Sequence, residues 1–243
     1  MKLEVDTHTH TVLSGHAHST LMENAAAAAE VGLLGMVMSD HGPSIHAAPP
    51  DFNIGTYDYL PRHISGVKIY RGIEANIIDF EGSIDIREKY LKRVEYAIAG
   101  MHEFVIRSGG RIKDTQALLG ALENKYIDII AHPDNPSYDI DYEAVVKKAA
   151  EHGKLLEVND HSFEYRAGST QNAAVFLALC KKHSVRVAVS SDAHSAFGVG
   201  KHDAAIVVLE ENDFPSELVI NLTMKRFDAY LDERAKRIED NRV

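Results

Sequence analysis

Seven short apolar runs alternate with amphipathic stretches along this chain, and each is followed within a few residues by a histidine, an aspartate or a glutamate. The runs span 3–5, 35–38, 67–73, 97–99, 127–131, 155–158 and 185–189. Runs this short, separated by helical stretches, read as buried parallel strands with helices outside. Thr20 or Ser19 starts the first helix, Glu23 completes a capping box and Gly32 ends it. Further helices are expected near 86–92, 113–122, 169–182 and from Asp141 to about His152. A loop rich in proline and histidine fills 42–61. From Lys201 on the chain reads as helices with one more short apolar run at 205–209. Seven strand–helix units in 243 residues predict one α/β domain, 1–243, closed or nearly closed into a barrel. A flat doubly wound sheet is the alternative.

The composition removes several function classes. The formal charge of −10 does not favour nucleic-acid backbones or anionic membranes. One cysteine, Cys180, rules out a disulfide within the chain and a thiolate metal cluster. No apolar run approaches the ~20 residues needed to span a bilayer, and the first residues show no apolar signal core. A cytoplasmic location is the default expectation, and the sequence is compatible with a homo-oligomer.

Fourteen histidines are present, and their positions carry the information. His8, His10 and His16 follow the first run, Asp40 and His41 the second, Glu74 the third, His102 the fourth and His132 the fifth. Asn159, Asp160 and His161 follow the sixth, and Asp192 and His194 the seventh. In a parallel barrel the carboxyl ends of the strands share one face, so this scattered set becomes one cluster. A lone histidine there is more often a hydrogen-bonded structural residue, and a lone aspartate a helix cap. Glu74 alone could pair with Arg71 or Arg87. Such explanations would have to coincide at six strand ends. Seven of these histidines with two of the carboxylates already exceed one tetrahedral site, so two or three ions and a bridging carboxylate are implied. In His8-x-His10 and Asp192-x-His194 on extended chain, the paired side chains point the same way.

The motifs Asp6-Thr7-His8-Thr9-His10, Ser14-Gly15-His16-Ala17-His18, Ser39-Asp40-His41-Gly42, Arg71-Gly72-Ile73-Glu74-Ala75-Asn76, Ala99-Gly100-Met101-His102, Ile130-Ala131-His132-Pro133 and Ser190-Ser191-Asp192-Ala193-His194 resemble those of the PHP (polymerase and histidinol phosphatase) family. The resemblance covers nearly the whole chain and is nearest to the stand-alone YcdX-type phosphatases. It implies a distorted (β/α)7 barrel and three divalent ions, zinc first, with manganese or iron as alternatives. His8, His10, Glu74 and Asp192 would hold the first ion. Glu74, His102 and His132 would hold the second, and His16, His41 and His194 the third. Glu74 and Asp192 would then be catalytic as well as ligating.

The implied reaction is hydrolysis of a small-molecule phosphate monoester by metal-bound hydroxide, without a serine or cysteine nucleophile. Substrate contacts are expected from Arg62, Asn159, His161 and Arg166, with His46 and His63 as further pocket candidates. Asp40 is expected either to orient the His41 ring or to cap a helix. The Gly-x-Gly run at 197–201 precedes a helix whose amides could meet an anion. His18 and His202 are expected at the surface or behind the ligands, and His152 and His183 near helix ends. The alternatives are a hydrolase of C–N or lactone bonds, a PHP-type nuclease and a non-enzymatic metal-binding module. The first usually carries a lysine or carboxylate where this chain has Met101-His102.

Overall fold

Strands form where those apolar runs lie, and four of them continue into the polar residues that follow. A computed structural model describes residues 1–240. In chain order they form β1 (Val5–Thr9), α1 (Leu21–Glu30), β2 (Gly35–Met38), β3 (His63–Ile64), β4 (Val67–Asn76), α2 (Glu88–Leu91), β5 (Tyr96–Gly100), α3 (Arg111–Glu123), β6 (Ile129–Ile130), α4 (Tyr142–Glu151), β7 (Leu155–Asn159), α5 (Asp160–Tyr165), α6 (Ser169–His183), β8 (Val187–Ser190), α7 (Asp203–Glu211) and α8 (Met224–Asp240). The capping box of α1 is present on Thr20 and Glu23, and Asp141 caps α4 through the Ala144 amide. The apolar run at 205–209 lies within α7. The short antiparallel β3 has no period long enough to show in the sequence.

Seven strands run parallel in the order β1-β2-β4-β5-β6-β7-β8, and β3 pairs antiparallel with the start of β4. Thr9 bridges Ala193 just past β8. The Asn221 amide group donates to the carbonyls of both Val5 and Val189. First and last strands therefore meet, giving a nearly closed, distorted (β/α)7 barrel. Val5, Val37, Tyr70, Ile98, Ile129, Leu155 and Ala188, one from each parallel strand, fill its lower interior. Phe227 and Tyr230 of α8 close the floor, Phe227 lying edge-on to Tyr70 at 4.8 Å. Among the described residues, no helix is long and apolar enough to cross a membrane.

Alternation along the strands then decides what reaches the other end. Above Tyr70 on β4 the same face carries Gly72 and Glu74, and above Leu155 on β7 it carries Glu157 and Asn159. On β1, Asp6 pairs with Met36 but Thr9 pairs with Met38, so β1 holds one extra residue. Such a bulge reverses the inside–outside parity. It turns His8 inward although Val5 also faces in.

The floor holds a buried charge cluster. Asp128 accepts hydrogen bonds from Arg234 (2.7 Å), Arg237 (2.6 Å) and the Ala97 amide (2.8 Å). Lys154, only 2% exposed, donates to the Asn124 carbonyl. Burial and then the Arg237 cation push its pKa down from 10.5 to about 7. Folding therefore penalises the ammonium; the penalty is full below pH 7 and fades as pH rises from about 7 toward 10.5. Lys154→Met is expected to raise Tm at pH 6 by about 2–4 °C, with the gap closing by pH 10. Melts followed by circular dichroism check this; a gap that stays constant or widens with pH contradicts it.

Candidate metal centre

The nine side chains singled out as ligands gather at the carboxyl end of the barrel. Glu74 is the hub. Its Oε2 lies 2.6 Å from His41 Nδ1, 3.3 Å from His8 Nε2 and 3.5 Å from His10 Nε2. Its Oε1 lies 3.1 Å from His102 Nε2 and 3.4 Å from His132 Nε2. Asp192 Oδ1 is 3.1 Å from His10 Nε2 and 3.5 Å from His8 Nε2. His16 and His194 meet through their Nε2 atoms at 2.9 Å, and the His10 and His194 rings lie 4.3 Å apart. His132 and Asp192 both have positive φ, 30° and 53°. Non-glycine residues held there cost of order 1–3 kcal/mol, a strain that sits on two of the converging side chains.

The inner nitrogens are aimed by what holds the outer ones. His8 Nδ1 donates to Glu157 (2.7 Å). His102 Nδ1 donates to the Asn76 side-chain oxygen (2.7 Å), and Asn76 spends its amide protons on Gly42 and Asp85. His16 Nδ1 meets the Ser14 carbonyl (3.1 Å) and His194 Nδ1 the Asp192 carbonyl (2.9 Å). Ser14 Oγ donates to Asp40, so it accepts from His10 Nδ1 at 2.9 Å. In all five rings the proton is on Nδ1 and the Nε2 lone pair points inward, the usual wiring of metal-bound imidazole.

Lone pairs facing each other at 2.9 Å, as in His8–His10 and His16–His194, repel unless a proton or a metal cation lies between or beside them. Glu74 Oε2 and His41 Nδ1 are buried and adjacent, yet neither has a hydrogen-bond partner. Burial opposes charge on His8, but Asp192, Glu157 and Glu74 hold its pKa well above the ordinary histidine value. Burial likewise opposes charge on Glu74, and His41, His8 and His102 hold it well below the usual carboxylate range. Burial and then His194 and His41 drive His10 well below. The field thus calls for positive charge between these groups, and the donor set fits divalent metal: three overlapping triads bring ligand atoms within 4.8 Å of one another. His41 belongs to two of them, with His10 and His194 and with Glu74 and His102.

The expected substrate contacts divide. Arg166 and His161 line the cavity of about 960 Å³ that opens above the cluster, as do His18 and His46. Arg62 does not join them; it is ion-paired with Glu95, which precedes β5, and is half exposed. Asn159 is fully buried, donating to Glu157 and Asp192 at 3.1 Å each, while its oxygen caps α5. It therefore positions Asp192 and does not face the cavity. His63 lies in β3 and lines no part of the cavity. Asp40 neither touches the His41 ring nor caps a helix; it ties Thr11 and Ser14, and through Ser14 the His10 ring. The amide of Gly200 is taken by Asp6 and that of Ala205 by Asp160, so these amides of the 197–201 run and the helix start are spent internally. His202 sits buried, 3.5 Å from Asp6.

Glu157 also belongs to the site, and its signal in the sequence is a carboxylate inside the apolar run at 155–158. Each of its oxygens accepts two hydrogen bonds, Oε1 from His8 and Ser190 and Oε2 from the His132 amide and Asn159. Asp85 carries no sequence signal. Gly100 is also constrained, because a Cβ there would lie 2.9 Å from Glu74 Oε1.

No family model matches the chain. It is 43% identical over 238 residues to a probable phosphatase of Acetivibrio thermocellus, covering 98% of this chain and 99% of that protein. It is 43% identical over 239 residues to a probable phosphatase of Caldicellulosiruptor saccharolyticus, covering 98% and 100%. The histidinol phosphate phosphatase of Lactococcus lactis, crystallised with zinc, L-histidinol and phosphate, matches with a TM-score of 0.61 and 15% identity, covering 88% of this chain and 95% of that one. At that identity the likeness is one of fold.

Proposed function

Since the chain belongs to the family of these bacterial probable phosphatases, we propose that it is a PHP-type enzyme of the YcdX kind, hydrolysing phosphate monoesters of small molecules at a centre of three divalent ions. The observation that carries this reading is the division of Glu74. One carboxylate oxygen turns to His8, His10 and His41, the other to His102 and His132, as a bridging carboxylate would. Asp192 joins His8 and His10, and His16 and His194 form the outer pair beside His41. Zinc is the first metal proposed, being the ion in the Lactococcus lactis phosphatase and suited to imidazole and carboxylate; manganese and iron share that donor preference. Bound there, the ions supply Lewis acidity, drawing charge from the phosphoryl oxygens and making water more acidic.

The protein's own groups do the positioning. Glu157, Asn76, Ser14 and two backbone carbonyls hold the imidazoles in one tautomer, so they need no reorganisation as charge develops. Arg166 is tethered to Ser162 (2.6 Å) on the cavity wall, which supports a role in binding a phosphoryl oxygen. His161, packed on Tyr165 at 4.3 Å, faces the same space. A C–N hydrolase of similar barrel usually carries a lysine or a carboxylate after the fourth parallel strand, where this chain has Met101-His102; no lysine is among the described residues lining the cavity.

The test is phosphate release from a panel of phosphorylated metabolites and p-nitrophenyl phosphate, beside amides, lactones and single-stranded DNA, using protein of measured metal content. Release should track bound metal, fall to background after chelation and return with zinc or manganese. Turnover of amides or DNA without phosphate release would refute the proposal.

A further inference from the structure

Away from the histidines the cavity is nearly uncharged. Pro43, Ile45, Ala47 and Ala48 form one wall, and Phe104 stands at the rim with 95% of its surface exposed. Among the described residues lining the cavity, Arg166 is the one lysine or arginine, and the carboxylates there are Glu74 and Asp192, both within the histidine cluster. The wall is built in advance. Asp85 accepts from the Ser44 amide (2.8 Å) with one oxygen and from the Asn76 amide (2.8 Å) with the other. The Gly42 amide donates to the Glu74 carbonyl at 2.8 Å. Gly15 has no Cβ where one would lie 2.7 Å from the His46 carbonyl, which lets the wall close against the preceding loop. The backbone that carries Phe104 is turned back on itself, because the amides of Val105 and Ile106 both donate to the His102 carbonyl, at 2.8 and 2.9 Å. A bare aromatic ring two residues from a cluster histidine gains by being covered. An ammonium entering this space would find no uncommitted carboxylate to replace its water.

On the phosphatase reading above, we propose that the leaving group of the ester sits between Phe104 and the 43–48 wall. The enzyme thereby selects alcohols bearing an uncharged apolar ring over alcohols bearing an ammonium. The cavity, about 960 Å³, has room for a phosphate and a ring together.

Three monoesters of primary alcohols test this: 2-phenylethyl, propyl and 2-aminoethyl phosphate, assayed by phosphate release on metal-loaded enzyme. The expected order of kcat/KM is phenylethyl above propyl above aminoethyl, each step about tenfold, the scale on which hydrophobic seats discriminate. Phe104→Ala should shrink the phenylethyl-to-propyl ratio to about twofold, with KM carrying the change. Aminoethyl phosphate at or above propyl phosphate, or a ratio untouched by Phe104→Ala, overturns the seat. Comparable release from all three overturns the selectivity and leaves the phosphatase reading standing. Release from none overturns both.

Discussion

Glu74→Gln is expected to lower phosphate release by about a thousandfold or more, the scale of losing one aimed electrostatic group from an active site, and to lower bound metal with it. The amide is nearly isosteric, so the barrel should fold. What changes is charge: Glu74 is 1% exposed and faces five imidazoles. An amide offers an oxygen to one half of the cluster and an NH2 to the other, and that nitrogen has no lone pair free to donate to a metal. Metal content by elemental analysis and release of phosphate from p-nitrophenyl phosphate measure the two effects. Full activity with unchanged metal would contradict the bridging role proposed for Glu74.

Glu157→Gln should follow, though Glu157 is not itself a proposed ligand. All four of its partners donate: His8 Nδ1, the His132 amide, Ser190 Oγ and the Asn159 amide group. Burial opposes the Glu157 charge, but His8 holds its pKa below the usual carboxylate range. A glutamine would turn two N–H donors toward two of these donors, in a site with no water-facing escape. Either the His8 ring and Ser190 or the His132 amide and Asn159 would lose their acceptor, and in the first case the group that sets the His8 tautomer is gone. Partners of this kind are worth about 10–100-fold in metal affinity or activity. Competition with a chelator of known affinity should show that loss while circular dichroism stays native. Unchanged metal affinity would reduce Glu157 to a packing role.

Local chemistry made much of the fold and of the cluster readable. The apolar runs at 35–38 and 97–99 fall within β2 and β5, and the Thr20–Glu23 box starts α1. These depend on neighbours in the chain and on propensity. The strand ends were less readable. β1 runs through His8, and β4 through Glu74 to Asn76, because pairing continues while the polar side chains face one another inside the barrel. Polarity alone ends a strand too early when the interior is itself polar. Arg62 was misplaced for a related reason: its loop returns as β3 along the start of β4, so it lies beside Glu95 and not above the cluster.

The residue types and their order at the strand ends were determined by the sequence alone, since ligand chemistry resides in the side chain and parallel strands share one open end. Only the tertiary structure decided which of those side chains turn inward and what holds them. The extra residue in β1 that brings His8 inward appears only when β1 is laid against β2. Glu157 reaches His8 across 149 residues, and Asp192 reaches His10 across 182. Such separations leave no local period, so tautomer, charge and spacing at the centre are properties of the closed barrel.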